Sequence, residues 1–419
     1  MPTNWAGNVV FAADRIARPA TVAELQETVA AADRVRAFGT GHSFNDIADT
    51  TGTMVSVAGL PGDVRVAPDR RTASVPAGVP FARVARALHA EGLALSNLGS
   101  LPHISVAGAV ATGTHGSGDR NRVLSAQVSA IEYVRADGAL ATVGRGDDAF
   151  GGSVVALGAL GVATRLELDV RDAFDMRQDL FLDAAWDPVL DAFDAVTSGA
   201  YSASLFIQDW ASSAIDQILW KSVVEDPDAV PALPPGVDAG RSLARAVSPV
   251  AGASDDTVTT QGGSIGPWLE RLPHFRHDAE PSNAGDELQS EYFIDRALAP
   301  RVLESLRREA AAVNPALLVS EIRTMAADDL WLSGAYRRDT VGVHFTWKPD
   351  PAAVAPALAA VERVLADADA RPHWGKLVGP AFTDRLPRFP RGRAFRELAE
   401  YADPGGKFRN AFLDRVLGA

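Results

Sequence analysis

The sequence predicts an α+β protein of two domains, and three observations carry that prediction. The chain has 419 residues, beyond the size at which one hydrophobic core keeps growing. Strand patterns in its first part are joined by hairpin signals, as at Asp137-Gly138 between QVSAIEYV and ALATV. A doubly wound parallel sheet calls for G-x-G-x-x-G opening a βαβ unit, and the glycine loop GTGHSF lacks the third glycine.

The elements follow in order. Thr21 and Glu24 have capping-box spacing ahead of Val22, Leu25 and Val29, which recur at helical period. Val35–Phe38 reads as a short strand running into the glycine loop. Further strands fall at 54–58 and around Val64/Val66 and Ala73/Val75, with Pro68-Asp69 at the turn. Pro80 suits the first turn of a second helix that carries Phe81, Val84 and Leu88 on one face and stops at Gly92. The small, apolar stretch 151–160 reads as a packed helix, and 162–170 as a strand.

From about Asp172 the texture changes. Residues 223–264 are rich in Pro, Asp, Ala and Gly and read as long surface excursions. ELQSEYFID, LLVSEIRT and VGVHFTW then alternate with helical stretches at 299–312 and 351–368. That pattern predicts a second antiparallel sheet with helices on one side. The tail is helical on both sides of Pro404-Gly405-Gly406.

Composition narrows the function classes. Hydrophobic residues are 47% and charged residues 22%, ordinary globular values. A net charge of −13 disfavours nucleic acid and anionic membranes as partners. With 0 Cys, disulfides, thiol catalysis and Cys-ligated metal clusters are excluded. The start MPTNWAGNVVFAADRIARPA lacks a basic segment followed by an apolar run, and no stretch approaches the roughly 20 apolar residues of a membrane span. A cytoplasmic location is the expectation.

Two stretches are built to let a ligand approach backbone. One is GTGHSF, starting at Gly39; the other is SLPHISVAGAVATGTHGSG, from Ser100 to Gly118. Together they could hold the pyrophosphate of a dinucleotide, or the small residues could serve tight helix–sheet packing. His42 is unexplained by a plain phosphate loop. It could be a satisfied loop histidine, or a ring-nitrogen nucleophile linked covalently to a cofactor. As a metal ligand it lacks partners at useful spacing. His274 and His277, three apart, likewise form no clear metal set, and no metal site is expected.

The second part of the chain adds a polar face. Glu321 and Arg323 are two apart in LLVSEIRT, and His344 and Thr346 two apart in VGVHFTW. On strands each pair shares one side, while Val343, Phe345 and Trp347 take the other. Such a face is either a solvated surface carrying an ion pair or one that needs a polar ligand to satisfy it. Lys376 in RPHWGKL adds a cation beside Trp374 and close to His373.

With GTGHSFNDIADT, NLGSLPHISVAGAVATGTHGSG, SEIRT, VHFTW and RPHWGK in order over nearly the whole chain, the sequence resembles the alditol (xylitol) oxidases of the vanillyl-alcohol-oxidase flavoprotein family. The resemblance implies that family's two-domain fold. An FAD-binding domain would span 1–172 and 378–419, and a substrate-binding cap with an antiparallel sheet would span 173–377. It implies FAD attached covalently through His42. Gly39, Thr40, Gly41, Ser43 and Phe44 would contact FAD, as would Ser105, Gly108, Thr112, Gly113, Thr114, His115, Gly116, Ser117, Val162 and His373. Substrate would meet Ser105, Glu321, Arg323, Thr346 and Lys376, and the catalytic set would be Glu321, Arg323, His344 and Lys376. The implied reaction oxidises the terminal CH2–OH of a linear polyol such as xylitol, sorbitol or glycerol to the aldose, with O2 reduced to H2O2 by a monomer.

Elementary chemistry agrees with these roles. A cation such as Lys376 or Arg323 near reduced flavin stabilises its negative charge. His344 suits the hydroxyl proton by its ordinary pKa, and Glu321 could take it instead; the sequence leaves this open. The same inventory tolerates a sugar lactone, so an aldonolactone oxidase or dehydrogenase is the second reading. A non-catalytic sugar-binding protein is the third.

Overall fold

The computed structural model describes residues 2–239, 246–250, 252–279 and 286–418. Three of the four sheets among the described residues organise it. A parallel sheet of three strands runs in the order Arg15–Ala17, Thr53–Ser56, Val35–Phe38. Beside it lies an antiparallel sheet ordered Arg65–Val66, Thr72–Pro76, Val162–Asp169, Val128–Val134, Leu140–Gly144. Along Val162–Asp169 burial alternates residue by residue, so Val162, Leu166 and Leu168 enter the core while Ala163, Arg165 and Glu167 are half-exposed.

Most of the local signals hold. Thr21 caps helix Val22–Ala31 by accepting from Glu24 N at 3.1 Å. The Pro68-Asp69 turn joins two antiparallel strands, and Asp137-Gly138 joins two more, with Gly138 at φ 84°. Pro80 is the N-cap of helix Phe81–Ala90, which buries Phe81, Val84, Ala85 and Leu88.

One expectation fails. Residues 151–160 do not form a helix; a single turn, Phe150–Ser153, gives way to irregular chain. Leu157 and Gly158 take left-handed backbone at φ 55° and 70°. Their carbonyls accept from the Arg36 guanidinium at 2.7 and 3.1 Å. Helix continuation loses to a buried cation that needs backbone acceptors. The helical expectation at 299–312 is met by two helices, Ala299–Arg308 and Ala310–Val313, interrupted at Glu309.

The third sheet is antiparallel throughout and has eight strands. Its order is Gly266–Pro267, Asp175–Ala185, Ala214–Val223, Ser202–Ile207, Leu317–Met325, Thr340–Trp347, Leu288–Asp295, Arg371–Pro372. The three strands between 175 and 223 are ones that the sequence reading leaves unassigned. Apart from a single turn at Asp255–Thr257, residues 224–264 have no regular element among the described residues, and 240–245 and 251 lie outside them. Val343, Phe345 and Trp347 pack with Ile322, Tyr292 and the apolar sides of helices Phe193–Ser198, Ala299–Arg308 and Pro351–Ala366. This apolar layer leaves the opposite face of the sheet to the cleft.

Candidate active site

The glycine loop leaves strand Val35–Phe38 and is fastened on both sides. Gly41 sits at φ 74°, where only glycine is unstrained. Phe44 N donates to Gly375 O at 2.7 Å, and Asn45 Nδ2 donates to the carbonyls of Trp374 and Lys376 at 2.8 and 2.9 Å. The loop carrying His42 is thereby tied to the segment carrying His373 and Lys376, 331 residues later in the case of Asn45 and Lys376. The His42 ring stacks on Trp5 at 5.0 Å. Both of its ring nitrogens are buried with no hydrogen-bond partner.

A cleft that opens to solvent lies beside His42. Gly39, Thr40, Gly41, His42, Ser43, Phe44, Ser105, Gly108, Thr112, Thr114, His115 and His373 line it. So do Glu321, Arg323, His344, Thr346 and Lys376. A Cβ on Gly39 would lie 2.4 Å from Ser105 Oγ, and one on Gly108 2.8 Å from the same atom. The two loops thus meet with no room for side chains.

Four residues expected at the cofactor do not line the cleft. Gly113 turns the chain at φ 69° beside Val155. Gly116 is wedged against Asn97 Oδ1 and Leu98 O, where an added Cβ would sit 2.4 Å from each. Ser117 Oγ donates to Ala203 O and so fastens the loop to the large sheet. Val162 is buried in its own strand pair with Val134.

On the sheet, register decides which side chains meet. Glu321 pairs with His344 across one strand boundary, and Glu291 pairs with His344 across the next. Directly paired residues project to the same side, so Glu291 joins Glu321, Arg323, His344 and Thr346. Its carboxylate accepts from Arg323 Nη2 at 2.7 Å, with His115 Nε2 at 3.0 Å and His344 Nδ1 at 3.4 Å. Glu321 Oε1 lies 2.7 Å from His274 Nε2, and Glu321 Oε2 lies 3.6 Å from Arg323 Nε. His344 Nε2 is 3.2 Å from Thr346 Oγ1. Lys376 Nζ donates to Gln289 Oε1 and sits over the Phe44 ring at 4.9 Å.

The electrostatics follow from this packing. Burial alone would raise both carboxyls, but His115, Arg323 and His344 hold Glu291 well below its ordinary value. Arg323 and His274 do the same for Glu321. Burial lowers His344, against the pull of Glu291, so its imidazole is neutral at pH 7. Burial, with Lys376 and His103 nearby, brings His42 down to about 4. Burial lowers Lys376 to about 8.

Comparison with known proteins fixes the family. Residues 13–144 match the FAD binding domain family, and residues 286–416 match the D-arabinono-1,4-lactone oxidase family. The chain is 44% identical to an alditol oxidase from a Streptomyces species over 99% of its own length and 98% of that protein. It belongs to the alditol oxidase family of vanillyl-alcohol-oxidase-type FAD flavoproteins. An L-gulono-1,4-lactone dehydrogenase from Mycobacterium tuberculosis is 30% identical over 99% of both chains. Among solved structures, a solvent-stable cholesterol oxidase superposes with a TM-score of 0.77 at 14% identity, covering 100% of this chain and 97% of that one. That likeness concerns the fold.

As a member of this flavoprotein family the chain has FAD as its cofactor, and its residues fit that group. Two unpartnered imidazole nitrogens face a cleft floored by side-chain-free glycines, which is what a flat, diphosphate-bearing molecule needs. Among the described residues no group of three or more His, Asp or Glu is arranged to hold a metal ion. No helix there is long and apolar enough to cross a membrane.

Sequence reasoning missed two members of the polar cluster. Glu291 lies in ELQSEYFID, read as a strand, and its alternation with buried Tyr292 was the available signal. His274 precedes that strand in a loop, and nothing local marks its reach to Glu321.

Proposed function

We propose that this flavoprotein oxidises the terminal primary alcohol of a linear polyol, such as xylitol, sorbitol or glycerol, to the aldose while O2 is reduced to H2O2. The carrying observation is that Glu321, Arg323, His344, Thr346 and Lys376 line the same cleft as His42. Acceptors, donors and a neutral imidazole there match a chain of vicinal hydroxyls, and such a site rejects analogues that lack them. The bound cofactor supplies two-electron acceptance. His42, neutral and unpartnered, is the residue for a covalent bond to it. Residues 1–172 and 378–419 form the cofactor-binding unit and 173–377 the cap in this reading.

The remaining roles follow from the protein's own groups. His344 has its Nδ1 towards Glu291 and its Nε2 beside Thr346 Oγ1, which leaves Nε2 able to accept the hydroxyl proton. The Glu291 carboxylate then stabilises the imidazolium, as a buried acid does in other acid–histidine pairs. Glu321, held strongly acidic by Arg323 and His274, is a poor base and a good acceptor for a substrate hydroxyl. Arg323 donates to hydroxyls, and Lys376 contributes positive charge where electrons arrive.

The match of residues 286–416 to a lactone oxidase family supports a second reading, oxidation of an aldonolactone. Peroxide release with xylitol, sorbitol, glycerol and a gulonolactone, each in air-saturated buffer, separates the two. Turnover of the lactone but of no polyol overturns the first reading. Substrate-reduced protein that reacts only with an artificial dye overturns the use of O2.

A further inference from the structure

His274 lines the cleft beside Glu321, and behind it stands a buried lysine that the reaction as described does not use. Lys221, in strand Ala214–Val223, is 1% exposed and does not line the cleft. Its amine donates to the carbonyls of Leu272 and Pro273 and, at 3.0 Å, to Nδ1 of His274; burial lowers Lys221 to about 7, so below that pH it is an ammonium. Three acceptors engage all three hydrogens of the ammonium. Because His274 Nδ1 accepts, the ring proton resides on Nε2, aimed 2.7 Å away at Glu321 Oε1. One carboxylate oxygen is thereby committed to the protein, and Glu321 Oε2 keeps lone pairs free beside Arg323.

Stability offers no reason for the arrangement. No carboxylate lies within ion-pair distance of Lys221 among the described residues, and a buried cation without one is costly where an apolar side chain could pack. Leu219 and Leu180, on the same side of the sheet, show that apolar residues are accommodated close by.

We propose that Lys221 and His274 are positioning residues that fix Glu321 as the oriented acceptor for one substrate hydroxyl. The inference rests on the reading of Glu321 as a substrate-binding group. Lys221 selects the His274 tautomer, and His274 selects which oxygen of Glu321 meets the ligand. A tautomer flip would set a lone pair against the carboxylate and turn the acceptor away.

The groups facing His274 are Lys221 from one strand, Ser204 and Phe206 from the next, and Glu321 and Arg323 beyond them. Burial and Lys221 bring His274 down to about 4, so it stays neutral at working pH. With Lys221 replaced, Glu321 is the nearest charge, and His274 should titrate closer to its ordinary range.

The test is steady-state oxidation of xylitol between pH 5 and 8 by the FAD-loaded enzyme and its K221M, H274L and H274Q variants. Loss of a hydrogen bond to a charged group predicts KM raised on the order of tenfold in K221M and H274L, with kcat within about threefold. H274Q keeps an N–H towards Glu321 and should recover most of the affinity. Between pH 5 and 6, where Lys221 stays charged, KM should become pH-dependent in K221M and stay flat in the wild type, a response that simple loosening of the fold would not give. Wild-type KM and a flat profile in K221M and H274L overturn the proposal, as does a fall in kcat at unchanged KM. Should K221M fail to fold, equal KM in H274L and H274Q overturns it. A wild-type enzyme that turns over no polyol overturns the underlying reading, and that result is visible before any variant is made.

Discussion

Glu291 Oε2 lies 3.4 Å from His344 Nδ1, while Oε1 of the same carboxylate accepts from Arg323 at 2.7 Å. A buried acid therefore serves the proposed base and a proposed substrate-binding cation together. In E291Q Arg323 keeps only Glu321, at 3.6 Å, and His344 loses the carboxylate facing its Nδ1. Stability should fall by about 3–5 kcal/mol, as when one partner of a buried pair is removed, and kcat on the order of 100-fold. The acid limb of kcat/KM reports the free enzyme. Burial lowers His344 and Glu291 raises it, so removing the carboxylate should move that limb to lower pH. An unmoved limb would assign the proton to another group.

His42 gives a chemical prediction. Intact mass of the denatured wild-type protein should include one flavin, and that of H42A should equal the bare polypeptide. Flavin still attached to H42A after denaturation would place the link elsewhere.

Acid should weaken the fold through buried neutral imidazoles. His274 titrates at about 4 when folded and near 6.5 when unfolded. Between these values the unfolded chain binds the extra proton, so stability falls as pH falls. His274 alone accounts for roughly 3 kcal/mol over that window. Urea midpoints measured from pH 7 down to 4.5 should fall more steeply in the wild type than in H274L; equal slopes contradict the assignment.

Glycines separate into those that fill space and those that do not. A Cβ at Gly116 would press on Leu98 O and Asn97 Oδ1 at 2.4 Å, whereas one at Gly146 would meet nothing within 4 Å. G116A should lose about 3 kcal/mol, and G146A should change by no more than about 0.5 kcal/mol. Thermal melts of both variants check this, and similar melting temperatures would contradict the packing described.

The local grammar of the chain was legible in particular residues. Period-two alternation put Glu321 with Arg323 and His344 with Thr346, opposite Phe345 and Trp347, because successive strand residues must face opposite ways. Capping at Thr21 and the Asp137-Gly138 turn were equally local. The stretch 151–160 misled because small apolar residues suit a helix by propensity, while the Arg36 guanidinium, far away in sequence, claimed its carbonyls.

By itself the sequence determined the α+β class, the family, the glycine loops and the polar faces of two strands, since these depend on neighbours a few residues apart. Tertiary structure alone decided that Glu291 stands opposite His344, that Lys221 reaches Glu321 through His274, and that His42 is left without a partner. Those facts depend on strand register and on loop closures over dozens to hundreds of residues, which no local periodicity encodes. The chemistry of each side chain was written in the chain; which proton and which charge it meets was set by the fold.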